Sequence, residues 1–218
     1  KKTAINETVL NHEMQIFRKS TPNIFSMKNF TMPELSNYAN VVEVPSISDR
    51  YVVNEEKIKN KNNILITGGK SGDLKKSYSN LAQLLSNDSR FNLFYDEILT
   101  KKINTSPKSI FNYSNNSFLN ISLIICRPGI GIISDSIKFC IPLIVDIEYK
   151  NKEIEYNAQK IEELGIGIRL NFTKINDLII NISNLLDDSY RLNNIINKIR
   201  LLDTGGANKI ARNIIDLK

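Results

Sequence analysis

From residue 63 onward, short and largely apolar runs alternate with longer segments that repeat apolar side chains at helical spacing. Most of the short runs lack alternating polar positions, which is typical of parallel strands buried on both faces. These predicted strands are residues 64–67, 91–95, 109–113, 121–126, 142–147 and 166–170. The predicted helices are residues 73–86, 129–139, 152–164, 175–186, 190–202 and 207–217. The alternation predicts a Rossmann-like, doubly wound α/β domain with a parallel sheet over residues 62–218.

The first part of the chain follows a different pattern. Residues 6–19 favour a helix, and short strands are expected at residues 23–26 and 41–44, on either side of a helix near residues 33–38. Residues 45–61 are polar and charged, as at a linker or domain junction. We therefore expect residues 1–50 to be the incomplete tail of a second α/β domain, with residues 51–61 as the linker. Because the chain begins without methionine, we also expect residues to precede it.

Composition excludes several classes of protein. Of the 218 residues, 41% are hydrophobic and 24% are charged, which suits a folded core and argues against a disordered chain. No apolar run approaches the roughly 18 residues of a membrane-spanning helix. The single histidine, His12, nearly excludes a histidine-based triad or metal pair. The net charge of +6 is spread over short lysine clusters without interleaved glycine and aromatic residues, so we expect no nucleic-acid partner.

Two glycine-containing loops follow predicted strands, where ligands of such sheets bind. The loop ITGGKSGD at residues 66–73 would present backbone amides at the positive end of a helix, which suits a phosphate group. Its glycine spacing does not fit a Walker A loop. In the loop CRPGIGIISD at residues 126–135, Gly129 and Gly131 open a helix and Asp135 could hold a ribose. Both loops also have explanations without a ligand. The glycines could be required by tight turns, and Asp135 could be an acidic residue that stabilises the first turns of a helix.

A third loop, at residues 148–158, places polar side chains between a strand and a helix. Glu153 and Glu155 could accept hydrogen bonds from sugar hydroxyls. Acidic residues in the first turn of a helix are equally expected without a ligand. Cys126 and Cys140 are interpreted as small buried apolar residues and not as a disulfide or a nucleophile.

In order and spacing, these motifs resemble the carboxyl-terminal domain of GT-B glycosyltransferases. The resemblance is to the peptidoglycan lipid-linked N-acetylglucosaminyltransferase family and related UDP-glycosyltransferases, and it covers about residues 62–217. It is carried by ITGGKSG, IICRPGIGIISDSIKFCIPLIV, a polar loop ending in Asn-Ala, EELGIG and GGANKIARNI. Residues 127–142 match most specifically, following the pattern Arg-x-Gly-x-x-Thr-x-x-Glu and then Gly-x-Pro. The sequence departs from the family at four places. Ile132 stands where the family has threonine, Asp135 where it has glutamate, Ile154 where it has glutamine, and the Cys140–Ile141 pair replaces the usual glycine before Pro142.

The resemblance implies a site for a nucleotide-sugar donor. The first loop, residues 68–72, would face the phosphates or the cleft. Gly129 and Gly131 would present helix amides to the diphosphate, and Asp135 would hold the ribose. Residues 114–118 would lie near the base, and Glu153 would contact the sugar. The complete implied set is Gly68, Gly69, Lys70, Ser71, Gly72, Arg127, Gly129, Gly131, Asp135, Glu153 and Asn157.

The implied reaction is transfer of a hexose or N-acetylhexosamine from a UDP-sugar to an acceptor, which is a lipid carrier, a glycan or a small molecule. Helix amides and cationic side chains would stabilise the departing diphosphate, so the resemblance implies no metal and no cofactor beyond the donor. The catalytic base of such enzymes comes from the amino-terminal domain, so none is assigned here. A cytoplasmic location, with docking to the inner membrane face, is a further hypothesis.

Two other functions fit the same cleft. A nucleotide-sugar hydrolase or epimerase would use the donor site without a second substrate. A non-catalytic subunit of a split transferase would bind the nucleotide-sugar and require a partner chain.

Overall fold

A computed structural model of the chain describes residues 15–16, 19, 23–37, 39–51, 62–68, 76–103, 110–146, 151–172 and 174–216. In its first part, strand β1 (Asn23–Met27) pairs in parallel with strand β2 (Asn40–Val44). A 3₁₀ helix at Pro33–Asn37 lies between them. The predicted strands at residues 23–26 and 41–44 are confirmed, whereas most of the predicted helix at residues 6–19 lies outside the described residues.

The main domain is built on a five-stranded parallel sheet in the order β4-β3-β5-β6-β7. Every residue of β3, β5 and β6 is buried, as the apolar runs predict. From β3 the chain goes to β4 on one side, and from β4 it crosses over to β5 on the other side of β3, so the direction of strand addition reverses at β3. The crevice at the carboxyl ends of β3 and β5 is therefore the place where sheets of this kind bind ligands. The strands are β3 (Asn63–Thr67), β4 (Asn92–Tyr95), β5 (Leu123–Cys126), β6 (Leu143–Asp146) and β7 (Gly167–Leu170).

Helices cover the sheet, and their buried apolar side chains form one continuous core with the strands. None of the described helices is long and apolar enough to cross a membrane. The helices are α1 (Lys76–Ser86), α2 (Glu97–Lys102), α3 (Asn115–Phe118), α4 (Ile130–Phe139), α5 (Lys152–Glu163), α6 (Ile175–Asp187), α7 (Ser189–Arg200) and α8 (Gly206–Asp216). Six of these eight correspond to predicted helices; α2 and α3 were not predicted.

The predicted strand at residues 109–113 is wrong over its described part, residues 110–113. Among these four residues the sheet pairing is an isolated bridge from Ile110 to Tyr95, and the chain then turns into α3. Of the residues that suggested a strand, Phe111 is buried in an aromatic cluster, where its ring lies 4.9 Å from that of Phe118, whereas Ile110 and Tyr113 are exposed. Burial of a loop by its own aromatic side chains thus imitates the composition of a strand.

Residues 45–51, expected as the start of a linker, pack on the main domain. The amide of Ser46 donates to the carbonyl of Asp203 at 3.1 Å, and its carbonyl accepts from the amide of Gly206 at 2.8 Å. A side chain at Gly206 would collide with the Pro45 carbonyl, so this close approach requires glycine. Residues 52–61 lie outside the described part of the chain.

Cys140 ends α4 in the left-handed conformation, with φ of 53°. Glycine adopts this conformation without strain, and other residues lose about 1 kcal/mol or more. In the GT-B pattern Gly-x-Pro, the glycine lies two residues before the proline, which is the position of Cys140 here. The chain therefore keeps the turn after α4 with Cys140 in place of glycine.

Candidate functional site

The amino end of α4 opens into the crevice at the carboxyl ends of β3 and β5. Gly129, the residue before the helix, has φ of −78° and ψ of 156°, a conformation available to any residue, and no side chain caps the helix. No heavy atom lies within 4 Å of a Cβ added to Gly129 or Gly131. Within the described structure, neither packing nor backbone strain requires glycine at these positions. Their small size instead leaves the first-turn amides accessible at the positive end of the helix, which suits an anion.

Asp135 lies one turn beyond Gly131 on the same face of α4. Its carboxylate is half-buried, and burial raises its pKa above the ordinary value, against a smaller lowering by Lys138. No hydrogen-bond donor among the described residues satisfies it. A carboxylate that is partly desolvated without a donor destabilises the fold, and it is available to accept hydroxyl groups of a ligand.

Asn157 supports the loop that leads into α4. Its side chain is fully buried on α5, and its Nδ2 donates to the carbonyl of Pro128 at 2.9 Å. Its Oδ1 has no hydrogen-bond partner in the described part of the chain. Asn157 thus holds the loop before Gly129 from the interior. Glu153, by contrast, is exposed in the first turn of α5.

The carboxyl ends of β3 and β5 are joined where Arg127 donates its backbone amide to the carbonyl of Thr67 at 3.3 Å. The amide of Gly68 donates to Asp96 Oδ2 at 3.0 Å, so it is already engaged within the protein. Residues 69–72, which complete the first predicted phosphate loop, lie outside the described residues. Among the described side chains, no group of three His, Cys, Asp or Glu residues is placed to hold a metal ion.

Asp96 is a buried carboxylate that is not among the site residues predicted from the sequence. It follows β4, accepts from the amide of Leu99 at 2.6 Å as the cap of α2, and accepts from the hydroxyl of Thr67 at 2.7 Å. The hydroxyl of Tyr113 lies 3.1 Å from Thr67 Oγ1. An aspartate between a strand and an acidic helix start is a recognisable capping signal, and that signal was present in the sequence.

In the segment expected near the base, Asn115 and Asn116 are exposed and only Phe118 is buried. Ser114 caps α3 by accepting from the amide of Ser117, and Phe118 is buried with its ring stacked 4.8 Å from that of Phe139. The aromatic residue exposed at this edge is Tyr113, immediately before the predicted segment.

No protein-family model and no curated protein sequence matches the chain. Its structure is similar to that of CalG4, the calicheamicin glycosyltransferase, with a TM-score of 0.60, 14% identity, and coverage of 89% of this chain and 51% of that one. MurG of Acinetobacter baumannii gives a TM-score of 0.58 at 16% identity over 84% of this chain and 62% of that one. The spinosyn rhamnosyltransferase SpnG, complexed with thymidine diphosphate, gives 0.57 at 12% identity over 86% and 54%.

The glycosyltransferase of kitacinnamycin gives a TM-score of 0.58 at 14% identity over 86% of this chain and 52% of that one. The chain therefore spans about half the length of the enzymes that it resembles, and its α/β architecture is that of the GT-B glycosyltransferase fold.

Proposed function

We propose that the chain is the donor-binding half of a glycosyltransferase that uses a UDP-linked hexose or N-acetylhexosamine. The observation that carries this proposal is the open amino end of α4, where Gly129 and Gly131 leave room that the described fold does not use. Asp135 lies one turn further along the same helix face. A diphosphate bound at the helix end would therefore have the Asp135 carboxylate nearby, about as far away as the ribose of a nucleotide lies from its diphosphate.

In this mechanism, an acceptor hydroxyl attacks the anomeric carbon, and the bond from that carbon to the diphosphate oxygen breaks. The nucleoside diphosphate leaves with the bonding electrons, so negative charge grows at the end of α4. The first-turn amides would stabilise that charge without reorganising. Asn157 would keep the loop in place through the Pro128 carbonyl, and Asp135 would orient the nucleoside. The base that removes the acceptor proton would come from outside the main domain.

Calorimetric titration with UDP, dTDP, GDP and ADP tests the proposed donor. We expect UDP to bind most tightly and to raise the unfolding midpoint, because a ligand that binds only the folded state stabilises it. Asp135→Asn should weaken UDP binding about tenfold or more through loss of the charged hydrogen bonds to the ribose. Preference for dTDP would reject UDP as the donor nucleotide, and failure of the complete protein to bind any nucleotide would reject the proposal.

The same Asp135→Asn variant gives a matched stability measurement. It should unfold at a higher temperature than the wild type at pH 7, because it removes a desolvated charge. Since burial raises the folded-state pKa of Asp135, the wild type gains relative stability as pH falls through that pKa. The difference between the two proteins should disappear below about pH 3, where the carboxyl group is protonated in both folded and unfolded chains.

We further propose that an amino-terminal α/β domain completes the protein. The β1–β2 pair is a parallel sheet of two strands whose side chains are mostly only partly buried, and such a pair requires further layers. Helix α8 contacts β2, yet Ile214 and Ile215 on it are 51% and 68% exposed. An added domain would cover these side chains and supply the acceptor site.

Substitution on α8 tests this arrangement. Ile215→Lys should leave the unfolding midpoint of the 218-residue chain nearly unchanged, since the side chain is exposed there. In a longer protein that carries an upstream domain, the same substitution should lower the midpoint by several degrees, because it would place a charge in a covered apolar contact. Equal, small effects in both proteins would show that this face stays uncovered.

A further inference from the structure

Lys138 extends from α4 beside Asp135 and is held by the neighbouring helix α3. The two residues are three positions apart in α4, so their side chains lie on the same face of the helix. Although both belong to the described part of the chain, the ammonium of Lys138 forms no ion pair with the carboxylate. Its Nζ instead donates to Oδ1 of Asn115 at 3.0 Å and lies 5.1 Å from the centroid of the Phe139 ring. Lys138 is therefore a cation next to the proposed ribose ligand that is bound to a different partner.

The position of Asn115 is set by the packing of α3 on α4. At the far end of α3, Phe118 is buried and its ring stacks on that of Phe139, with centroids 4.8 Å apart. At the near end, the hydroxyl of Ser114 caps the helix. The Asn115 amide thus has a defined place beside α4, and it binds Lys138 through a charge-assisted hydrogen bond.

The charge of Lys138 still acts on Asp135. Burial raises the pKa of the Asp135 carboxyl group, and Lys138 is the charged group that opposes this rise. From the loop before α3, Tyr113 is also within electrostatic reach, but burial raises its pKa too, so its hydroxyl is neutral near pH 7. An ammonium bonded directly to Asp135 would occupy the oxygens that a ribose needs. Because Asn115 holds Lys138, the positive charge is close and the carboxylate oxygens stay accessible.

We propose that Lys138 is a positioning residue for ribose recognition, which keeps Asp135 ionised while Asn115 holds the ammonium away from its oxygens. This inference rests on the proposed function, because Lys138 acts only through Asp135 and touches no part of the donor. Hydroxyl groups donate more strongly to a carboxylate than to a neutral carboxylic acid. UDP binding should therefore weaken as pH falls through the folded-state pKa of Asp135, and Lys138 extends binding to lower pH.

Calorimetric titrations of UDP and inorganic pyrophosphate between about pH 5 and pH 8 test this role. Lys138→Met removes the charge at similar length, so on acidification its UDP affinity should fall about fivefold further than that of the wild type. Pyrophosphate, which has no ribose, should bind both proteins alike. Lys138→Arg keeps the charge and should restore the wild-type profile. Lys209→Met, which removes an exposed cation on α8, controls for net charge. The diphosphate itself gains a proton near about pH 6, so the variants are compared at each pH.

Carbon NMR titration of the Asp135 carboxyl group needs no ligand and separates this role from the donor proposal. The pKa of Asp135 should be higher in Lys138→Met than in the wild type. It should be lower in Asn115→Ala, where the released ammonium can pair with the carboxylate. An Asp135 pKa unchanged in either variant, or a loss of pyrophosphate affinity as large as that of UDP in Lys138→Met, would overturn the proposal and leave the donor site standing. A wild type that binds neither ligand would reject both proposals.

Discussion

Replacing Gly131 with leucine is expected to abolish measurable UDP binding while leaving the protein at least as stable as the wild type. In α4, the new side chain would meet no described atom within 4 Å at its Cβ. Leucine also favours a helix over glycine, by up to about 1 kcal/mol, so the unfolding midpoint should stay the same or rise. The added side chain would fill the space in front of the first-turn amides and exclude a diphosphate from them.

Opposite effects on stability and binding distinguish a ligand site from a structural glycine. Gly131→Ala should be intermediate, with a raised midpoint and UDP affinity reduced by about tenfold. Asn194→Leu, at an exposed position of α7, is a matched control that should change neither property greatly. Unfolding curves and UDP titrations measure both. If Gly131→Leu bound UDP normally, the open space would not be the diphosphate site, and a large loss of stability would instead assign Gly131 to the fold.

Gly167 shows the contrasting case of a glycine that the fold requires. It begins β7, and a Cβ there would collide with the Leu143 carbonyl and press against Ile161. Sequence alone does not separate Gly167 from Gly131, because both lie in short apolar segments with helical or strand neighbours. The distinction depends on what lies opposite each Cα, and that is set by elements distant in the chain.

The parallel sheet could be predicted because its local signal is strong. Strands β3, β5 and β6 are buried on both faces, so each is a continuous apolar run that no amphipathic helix would produce. The misassigned strand at residues 109–113 and the missed helices α2 and α3 share one cause. Helices of 6 and 4 residues are too short to show a helical period, so tertiary contacts and caps decide their structure.

The candidate site was predictable where it depends on local chain geometry. Glycines before a helix and an aspartate one turn later can be recognised in consecutive residues, as at Gly129, Gly131 and Asp135. The contacts of Thr67 with Asp96 and Tyr113 could not, since they join positions 29 and 46 residues apart. Asn157 was expected to contact the donor, but its complete burial and its bond to Pro128 favour a supporting role, which only the packing of α5 reveals.

Arg50→Ala is expected to lower the free energy of unfolding by about 3 kcal/mol. The half-buried guanidinium of Arg50 spans the carboxyl ends of two helices. Its Nη1 donates to the carbonyl of Ile137 at 3.3 Å and to Cys140 Sγ at 3.0 Å, at the end of α4. Its Nη2 donates to the carbonyls of Ile199 at 3.3 Å and Leu202 at 2.7 Å, at the end of α7.

Both the charge and the shape of Arg50 contribute to this stabilisation. Carbonyls at a helix carboxyl end lack partners within the helix, and a cation interacts favourably with the helix dipole there. Removing the guanidinium takes one donor away from each of these part-buried carbonyls, although that of Ile199 still accepts from the amide of Leu202 at 3.1 Å. A lysine would keep the charge but not the planar fork that reaches two helices. Arg50→Lys should therefore lose about half as much stability as Arg50→Ala.

Urea unfolding monitored by circular dichroism measures these differences, with unchanged slopes confirming that the same transition is compared. Lys28→Ala is the matched control, because Lys28 forms an exposed ion pair with Asp203 at 3.3 Å, close to the same end of α7. Exposed pairs contribute less than about 1 kcal/mol. If Arg50→Ala were no more destabilising than Lys28→Ala, the attachment of residues 45–51 to the main domain would depend on the backbone contacts of Ser46 and Tyr51 and not on the guanidinium. A large loss confined to Arg50 would show that the segment leaving β2 is fixed to the helix whose opposite end carries the candidate donor site.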